Sequence, residues 1–207
     1  SIALILALIT GVLAMVAMPY FDEDPLLLAT DPAEPPPTRL PPETEPTLPP
    51  PDPNPYGRLD FQYDENNYLK LIDGESVTGI DVSSYQHDID FDAVKASGVD
   101  FVIIRLAYRG YETGRIVFDN DAEHNLKAAR DAGLDVGVYF FSQAISPEEA
   151  EEEAYFVLDA IKDYEITMPI VYDWEHVSAE DARTADMDRE TLTKCCKAFC
   201  QTIEAAG

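Results

Sequence analysis

Residues 168–175 have the sequence MPIVYDWE, an apolar run that leads into two carboxylates separated by one residue. Alternate side chains of an extended strand point to the same face, so Asp173 and Glu175 are expected on one face and Tyr172 and Trp174 on the other. Such an apolar strand is typical of a parallel sheet, and α/β folds place their functional residues at the carboxyl ends of these strands. The pattern indicates a site that contains both acids, although a lone Asp-x-Glu more often caps a helix or begins a turn.

Three other strand-like segments precede this run, and a helical pattern follows each strand in turn. Strands are predicted at 79–83, 101–106, 135–141 and 169–174, and helices at 90–97, 120–131, 146–164 and 188–206. This alternation predicts parallel strands in sequential order, in a doubly wound sheet or in part of a (β/α) barrel. Residues 58–78 are a transitional segment with a candidate strand at 68–71. Four β/α units are about half of a closed barrel, so we expect a partial (β/α) barrel, truncated at its C-terminal end.

The N-terminal region has two segments of contrasting composition. Residues 2–21 are uncharged and strongly apolar, and a helix of this length spans a bilayer core of about 30 Å. Residues 1–21 are therefore predicted to be a transmembrane anchor or a signal segment, and the lack of a good signal-peptidase site favours the anchor. Residues 22–57 are acidic and rich in proline, which predicts a disordered, extended linker. We expect a single-pass membrane protein with its domain (79–207) outside the cell, or a secreted protein if the segment is cleaved.

The overall composition excludes some partners and provides no support for a cofactor. The 207 residues carry a net charge of −26, which argues against binding to nucleic acid or to anionic lipid but says little about neutral sugars. The only cysteines are Cys195, Cys196 and Cys200, which fall in one predicted helix and are interpreted as small, buried apolar residues. The three histidines show no metal-binding spacing, so neither a metal nor a cofactor is predicted.

Further candidate site residues lie at the ends of the other predicted strands. Asp81 ends the first strand, and Tyr139 on the third would point toward the same mouth of a barrel as Asp173 and Glu175. Converging carboxylates beside an aromatic side chain suit glycoside cleavage, because one acid protonates the leaving oxygen while another stays ionised. Arg105 either pairs with a site acid or is a surface charge at a strand end.

Four motifs, in order along the chain, resemble the lysozymes of glycoside hydrolase family 25. They are GIDVS with YQ at 79–86, GVDFVIIR at 98–105, AGL with GVYF at 132–140, and PIVYDWE at 169–175. The resemblance implies a modified β/α barrel that hydrolyses the β-1,4 bond between N-acetylmuramic acid and N-acetylglucosamine in peptidoglycan. It also implies substrate-assisted retention, in which the N-acetyl group of the sugar attacks and no enzyme nucleophile is needed.

The resemblance also implies roles for individual residues. Glu175 corresponds to the general acid/base, Asp173 to its partner carboxylate, Asp81 to the first-strand acid and Tyr139 to the pocket tyrosine. We add Trp174 and Arg105 as candidates for substrate binding.

Two classes of function remain open at this point. One is a surface-tethered muramidase acting on peptidoglycan glycan strands, and the other is a non-catalytic peptidoglycan-binding module. The intact acids favour the enzyme, because a binding module does not need an acid pair. The family pattern has a further aspartate on a late strand, and this sequence ends before that position.

Overall fold

The computed structural model of the protein describes residues 53–207. The predicted membrane segment and all but the last few residues of the predicted linker lie outside the described residues. Within residues 53–207, no helix is both long enough and apolar enough to cross a membrane.

The described residues alternate between strands and helices, largely as the sequence predicts. The strands are β1 (Phe61–Tyr63), β2 (Leu69–Leu71), β3 (Gly79–Val82), β4 (Phe101–Arg109), β5 (Ile116–Phe118), β6 (Asp135–Ser142) and β7 (Ile170–Trp174). The helices are α1 (Phe91–Ala96), α2 (Ala122–Asp131), α3 (Pro147–Ile161) and α4 (Arg189–Ala206). Single 3-10 turns cover Arg58–Asp60 and Ser84–Gln86.

The main sheet has the order β3-β4-β6-β7, and each of these neighbours pairs in parallel. The prediction of parallel strands in sequential order is therefore confirmed. Strand β5 was not predicted, and it pairs antiparallel with the end of β4. The segment 58–78 contains a separate antiparallel pair, β1 with β2, and β2 matches the candidate strand at 68–71.

The sequential strand order determines where the helices lie. Right-handed crossovers that always advance in the same direction place their helices on one face of the sheet, as in a (β/α) barrel and unlike a doubly wound sheet. Val102, Ile104, Val138 and Phe140 alternate along β4 and β6, and all four are fully buried in the core shared with the helices. We call this side the helix face of the sheet, and the opposite side the site face.

A β-bulge interrupts the alternation in β4. Arg105 pairs with Tyr139 of β6, but Ala107 pairs with the next residue, Phe140, so Leu106 has no partner in the register. Both Leu106 and Ala107 lie in the core on the helix face. As a result Arg105 points to the site face, whereas Arg109, four residues later, points to the helix face.

Arg109 fastens α3 to the sheet through a buried ion pair. Its Nε donates to Glu153 Oε1 at 2.6 Å, and the two side chains are 4% and 0% exposed. Ser142 Oγ at the end of β6 donates to the other Glu153 oxygen at 2.6 Å. Arg109 also pairs with Glu152 at 2.7 Å, whereas Glu153 has no other cation beside it among the described residues, so removing Arg109 would leave an uncompensated charge in the core.

The helix boundaries follow from local chemistry. The Ser146 hydroxyl accepts a hydrogen bond from Glu149 N, and Pro147 occupies the first turn of α3, as the sequence predicts. Asp188 caps α4 in the same way by accepting from Thr191 N at 2.8 Å. Gly133, with φ +78°, follows α2 in the left-handed conformation that glycine adopts without strain.

Candidate active site

The predicted site residues Asp81, Tyr139 and Asp173 come together on the site face of the sheet. Arg105 pairs with Tyr139, and Phe141 pairs with Asp173, and paired residues of parallel strands project to the same side. Asp81 acts electrostatically on both Tyr139 and Asp173, as expected for close neighbours. Three strands therefore contribute side chains to one cluster, at the edge where parallel strands end.

Asp173 has the most strongly perturbed carboxyl group of this cluster. Burial is the largest cause, and the charges of Glu175 and Asp81 add to it, so that the pKa of Asp173 rises to about 6 although Arg105 opposes the shift. Like charges that share a poorly solvated site resist joint ionisation. Asp173 can therefore carry a proton at mildly acidic pH.

Glu175 lies just beyond the last residue of β7 and is exposed. Among residues 53–207, its carboxylate has no hydrogen-bond or ion-pair partner, so it is accessible to a substrate. Its backbone carbonyl is held, because the buried Gln143 side chain donates to it from Nε2 at 3.0 Å.

Tyr139 provides a neutral hydroxyl beside the acids. Burial is the main cause that raises the pKa of Tyr139, and Arg105 and the Ser83 side chain oppose this shift without cancelling it. The tyrosine therefore keeps its proton at any physiological pH and can donate a hydrogen bond to a sugar oxygen or to a carboxylate.

Arg105 forms an ion pair, but its partner, Asp119, is not among the predicted site residues. Its guanidinium contacts Asp119 Oδ2 at 2.7 Å, and the side chains are 11% and 1% exposed. The guanidinium carbon also lies 4.8 Å from the centre of the Tyr85 ring and 5.3 Å from that of Tyr108. These contacts fix a positive charge near Asp173, which stabilises the ionised form of that carboxylate.

Asp119 follows the unpredicted strand β5, and that strand explains why it was missed. The same oxygen that contacts Arg105 accepts from Ser84 N and Ser84 Oγ at 3.2 Å, while Oδ1 accepts from Asp121 N at 3.0 Å. The signal in the sequence was the run Ile-Val-Phe directly before an aspartate, which repeats on a small scale the pattern of β7.

Trp174 is not brought together with the other candidates. It pairs with Ser142, and Tyr172 on the same face packs against Phe199 of α4 with ring centres 5.1 Å apart. The indole Nε1 is buried without a hydrogen-bond partner among the described residues. Trp174 therefore projects to the helix face, away from Asp173, and its contact with substrate stays a prediction.

The histidines and cysteines do not form a metal centre in the described part of the chain. Residues 53–207 contain no group of three or more His, Cys, Asp or Glu side chains that could hold a metal ion. The three cysteines of α4 are free thiols, and only Cys195 is fully buried, whereas Cys200 is exposed. The interpretation of all three as buried apolar residues is thus correct only for Cys195.

Comparison with known proteins reveals relatives that cover parts of the chain. The autolytic lysozyme of Clostridium acetobutylicum is 36% identical over 78 residues, which are 38% of this chain and 22% of that protein. The structure of the Streptococcus pneumoniae autolysin LytC with a synthetic peptidoglycan ligand matches with a TM-score of 0.54 and 28% identity. That match covers 62% of this chain and 30% of LytC.

A family 25 glycosyl hydrolase from Bacillus anthracis gives a similar result, with a TM-score of 0.51 and 26% identity. This match covers 63% of the present chain and 56% of the other. The chain thus spans less than two thirds of the length of each of these relatives. The family model for glycosyl hydrolases family 25 matches residues 80–207, which are more than half of the chain and include every residue of the site. The chain therefore belongs to family 25 of the glycosyl hydrolases.

Proposed function

We propose that the protein is a muramidase that hydrolyses the β-1,4 bond between N-acetylmuramic acid and N-acetylglucosamine in peptidoglycan. The observation that carries the proposal is that Asp173 and Glu175 lie close together at the end of β7, where the charge of Glu175 helps to raise the pKa of Asp173 to about 6. Asp81, Tyr139 and Arg105 surround this pair on the site face. Membership of family 25 and the peptidoglycan ligand of LytC support the choice of substrate.

Glu175 is the general acid in this proposal. Its exposed carboxyl group can reach a bound glycan, and it gives its proton to the glycosidic oxygen as the bond from that oxygen to the anomeric carbon breaks. The carbonyl oxygen of the sugar's own N-acetyl group bonds to the anomeric carbon from the opposite side. Water, deprotonated by Glu175, then opens this cyclic intermediate, so that the configuration is retained and the acid is restored.

Asp173 in its ionised form stabilises the positive charge that develops during this reaction. Its carboxylate lies on the same face as Tyr139 and near the positive charge of Arg105. An ionised carboxylate in a poorly solvated site interacts strongly with a cationic sugar, because water screens the charges less there than in bulk. Asp81 adds negative charge to the same side of the site.

The test is Glu175→Gln in the full-length protein. The amide keeps the shape of the side chain but cannot donate the proton, so hydrolysis should fall by about 10²–10⁴-fold, equivalent to roughly 3–5 kcal/mol of barrier. The assay is turbidity loss of purified cell walls, with chemical analysis of the reducing ends released.

Full activity of the Glu175→Gln variant, or products with new amino termini instead of new reducing sugars, would contradict the muramidase proposal. If the wild-type protein binds walls without releasing reducing ends, the non-catalytic binding module is the better description.

A further inference from the structure

We propose that Gln143 is a positioning residue that fixes the backbone at Glu175 and thereby aims the carboxyl group of the general acid. The inference rests on the proposed function and extends it to a residue that does not touch the substrate. Gln143 directly follows β6 and is completely buried.

The orientation of the Gln143 amide follows from its neighbours. One end of the amide lies 2.9 Å from the carbonyl oxygen of Ser142 and 3.0 Å from that of Glu175. Carbonyl oxygens only accept hydrogen bonds, so this end must be the NH2 group. The other end, Oε1, accepts from Thr184 Oγ1 at 2.5 Å. Both amide protons and the amide oxygen are thus engaged, and the side chain has no freedom to turn.

Glu175 needs such a restraint because of its place in the fold. The ladder between β6 and β7 ends at Ser142 and Trp174, one residue before Glu175. No described residue bonds to its carboxylate. The hydrogen bond from Gln143 therefore joins this first residue beyond the sheet to a buried side chain. Such a restraint matters because a misplacement of about 1 Å in a catalytic group can cost about 100-fold in rate.

The segment after Glu175 strengthens the restraint. Thr184, which orients the Gln143 amide, lies in this segment and is itself 2% exposed. Arg183 beside it donates from Nη2 to Glu149 Oε1 at 2.7 Å and thereby ties the segment to the start of α3. Gln143 therefore links the end of β6, the acid and the segment that follows it.

The experiment compares Gln143→Met with Tyr172→Phe in the full-length protein. Methionine fills a similar volume without donating, whereas the control removes a hydroxyl from β7 that faces away from the acids and lies 3.1 Å from Ser142 Oγ. In Gln143→Met alone, the buried Thr184 hydroxyl loses its acceptor, which could destabilise the fold. The double variant Gln143→Met/Thr184→Val removes this hydroxyl as well. We expect kcat to fall at least ~10-fold in both Gln143 variants with KM nearly unchanged, because the acid acts in the transition state.

A second readout does not depend on activity. The titration of the Asp173 carboxyl carbon is followed by NMR in the wild type, in both Gln143 variants and in Glu175→Gln. The charged groups that act on Asp173 are Glu175, Asp81 and Arg105. If Glu175 moves away when Gln143 is replaced, its repulsion weakens, and the pKa of Asp173 falls toward the value in Glu175→Gln.

Each outcome supports or overturns the inference. The inference is supported if the pKa of Asp173 is lower in the folded Gln143 variants and, where the wild type is active, kcat falls by an amount that Tyr172→Phe does not share. An unchanged pKa, or a kcat equal to that of the control, overturns it. A wild-type protein that releases no reducing ends would refute the muramidase proposal alone, because the titration still decides whether Gln143 positions Glu175.

Discussion

Replacing Asp119 by Asn tests the ion pair that holds Arg105 beside the acids. At 2.7 Å, opposite unit charges attract by about 6 kcal/mol at an effective dielectric constant of 20, and the cost of desolvating them offsets part of this. Asparagine has a single acceptor oxygen, so it can accept from Ser84 or from Asp121 but not from both, and it leaves a guanidinium that is only 11% exposed without its counter-charge. Breaking such a pair costs about 3–5 kcal/mol.

The loss should be measurable as a change in unfolding temperature. In a domain of about 150 residues, each kcal/mol shifts Tm by about 2–4 °C, so Asp119→Asn should lower Tm by about 6–20 °C. The assay is thermal unfolding followed by circular dichroism. The control is Glu165→Gln, which removes an ion pair with Arg130 in which both side chains are more than half exposed. That pair should contribute less than about 1 kcal/mol.

The comparison distinguishes a buried ion pair from an exposed one by the change in Tm that each substitution causes. If Asp119→Asn lowers Tm no more than Glu165→Gln does, the Arg105–Asp119 pair contributes little to stability, and the reasoning from its burial is refuted. A large loss of stability would show that the support for Arg105 is part of the fold, independent of any substrate.

Two further predictions concern stability and location. Because the pKa of Asp173 is raised from 3.8 to about 6, folding favours its protonated form, and this stabilisation is lost as the pH rises through 6. Asp173→Asn should therefore increase the free energy of unfolding by about 1–2 kcal/mol at pH 7 and leave it nearly unchanged at pH 4. Denaturant unfolding of the variant and the wild type at each pH measures this difference, and a difference of the same size at both pH values would contradict the prediction. We also propose that residues 2–21 anchor the protein in the membrane with its domain outside the cell. The intact protein should then sediment with membranes and be released by detergent but not by salt. Recovery in the soluble fraction after gentle lysis would argue against an anchor.

The regular part of the fold was predictable from the sequence because its signals are local. Apolar runs separated by helical patterns identified β4, β6 and β7, and the period of two placed Asp173 and Tyr172 on opposite faces, as the structure confirms. The start of α3 was equally clear, because Ser146 precedes a first turn that contains Pro147 and Glu149.

The missed features depend on pairing between distant residues. Strand β5 is only three residues long and is stabilised by β4, so its own sequence carries little signal. Asp119 was overlooked for the same reason, although it holds Arg105. The role of Gln143 could not be seen either, because its partners are a carbonyl 32 residues away and a threonine 41 residues away.

The bulge in β4 has a consequence for the redesign of this protein. The segment FVIIRLAYR is apolar on both faces, so a design procedure that enforces regular alternation would find no reason to keep the bulge at Leu106. Building the same nine residues as a regular strand would turn every side chain after Leu106 to the opposite face. The guanidinium that pairs with Glu153 would then point away from α3, and Tyr108 would leave the ring stack on Arg105. A strand redesigned without the bulge would keep its hydrophobicity but lose both the Arg109–Glu153 ion pair and the contact between Arg105 and Tyr108.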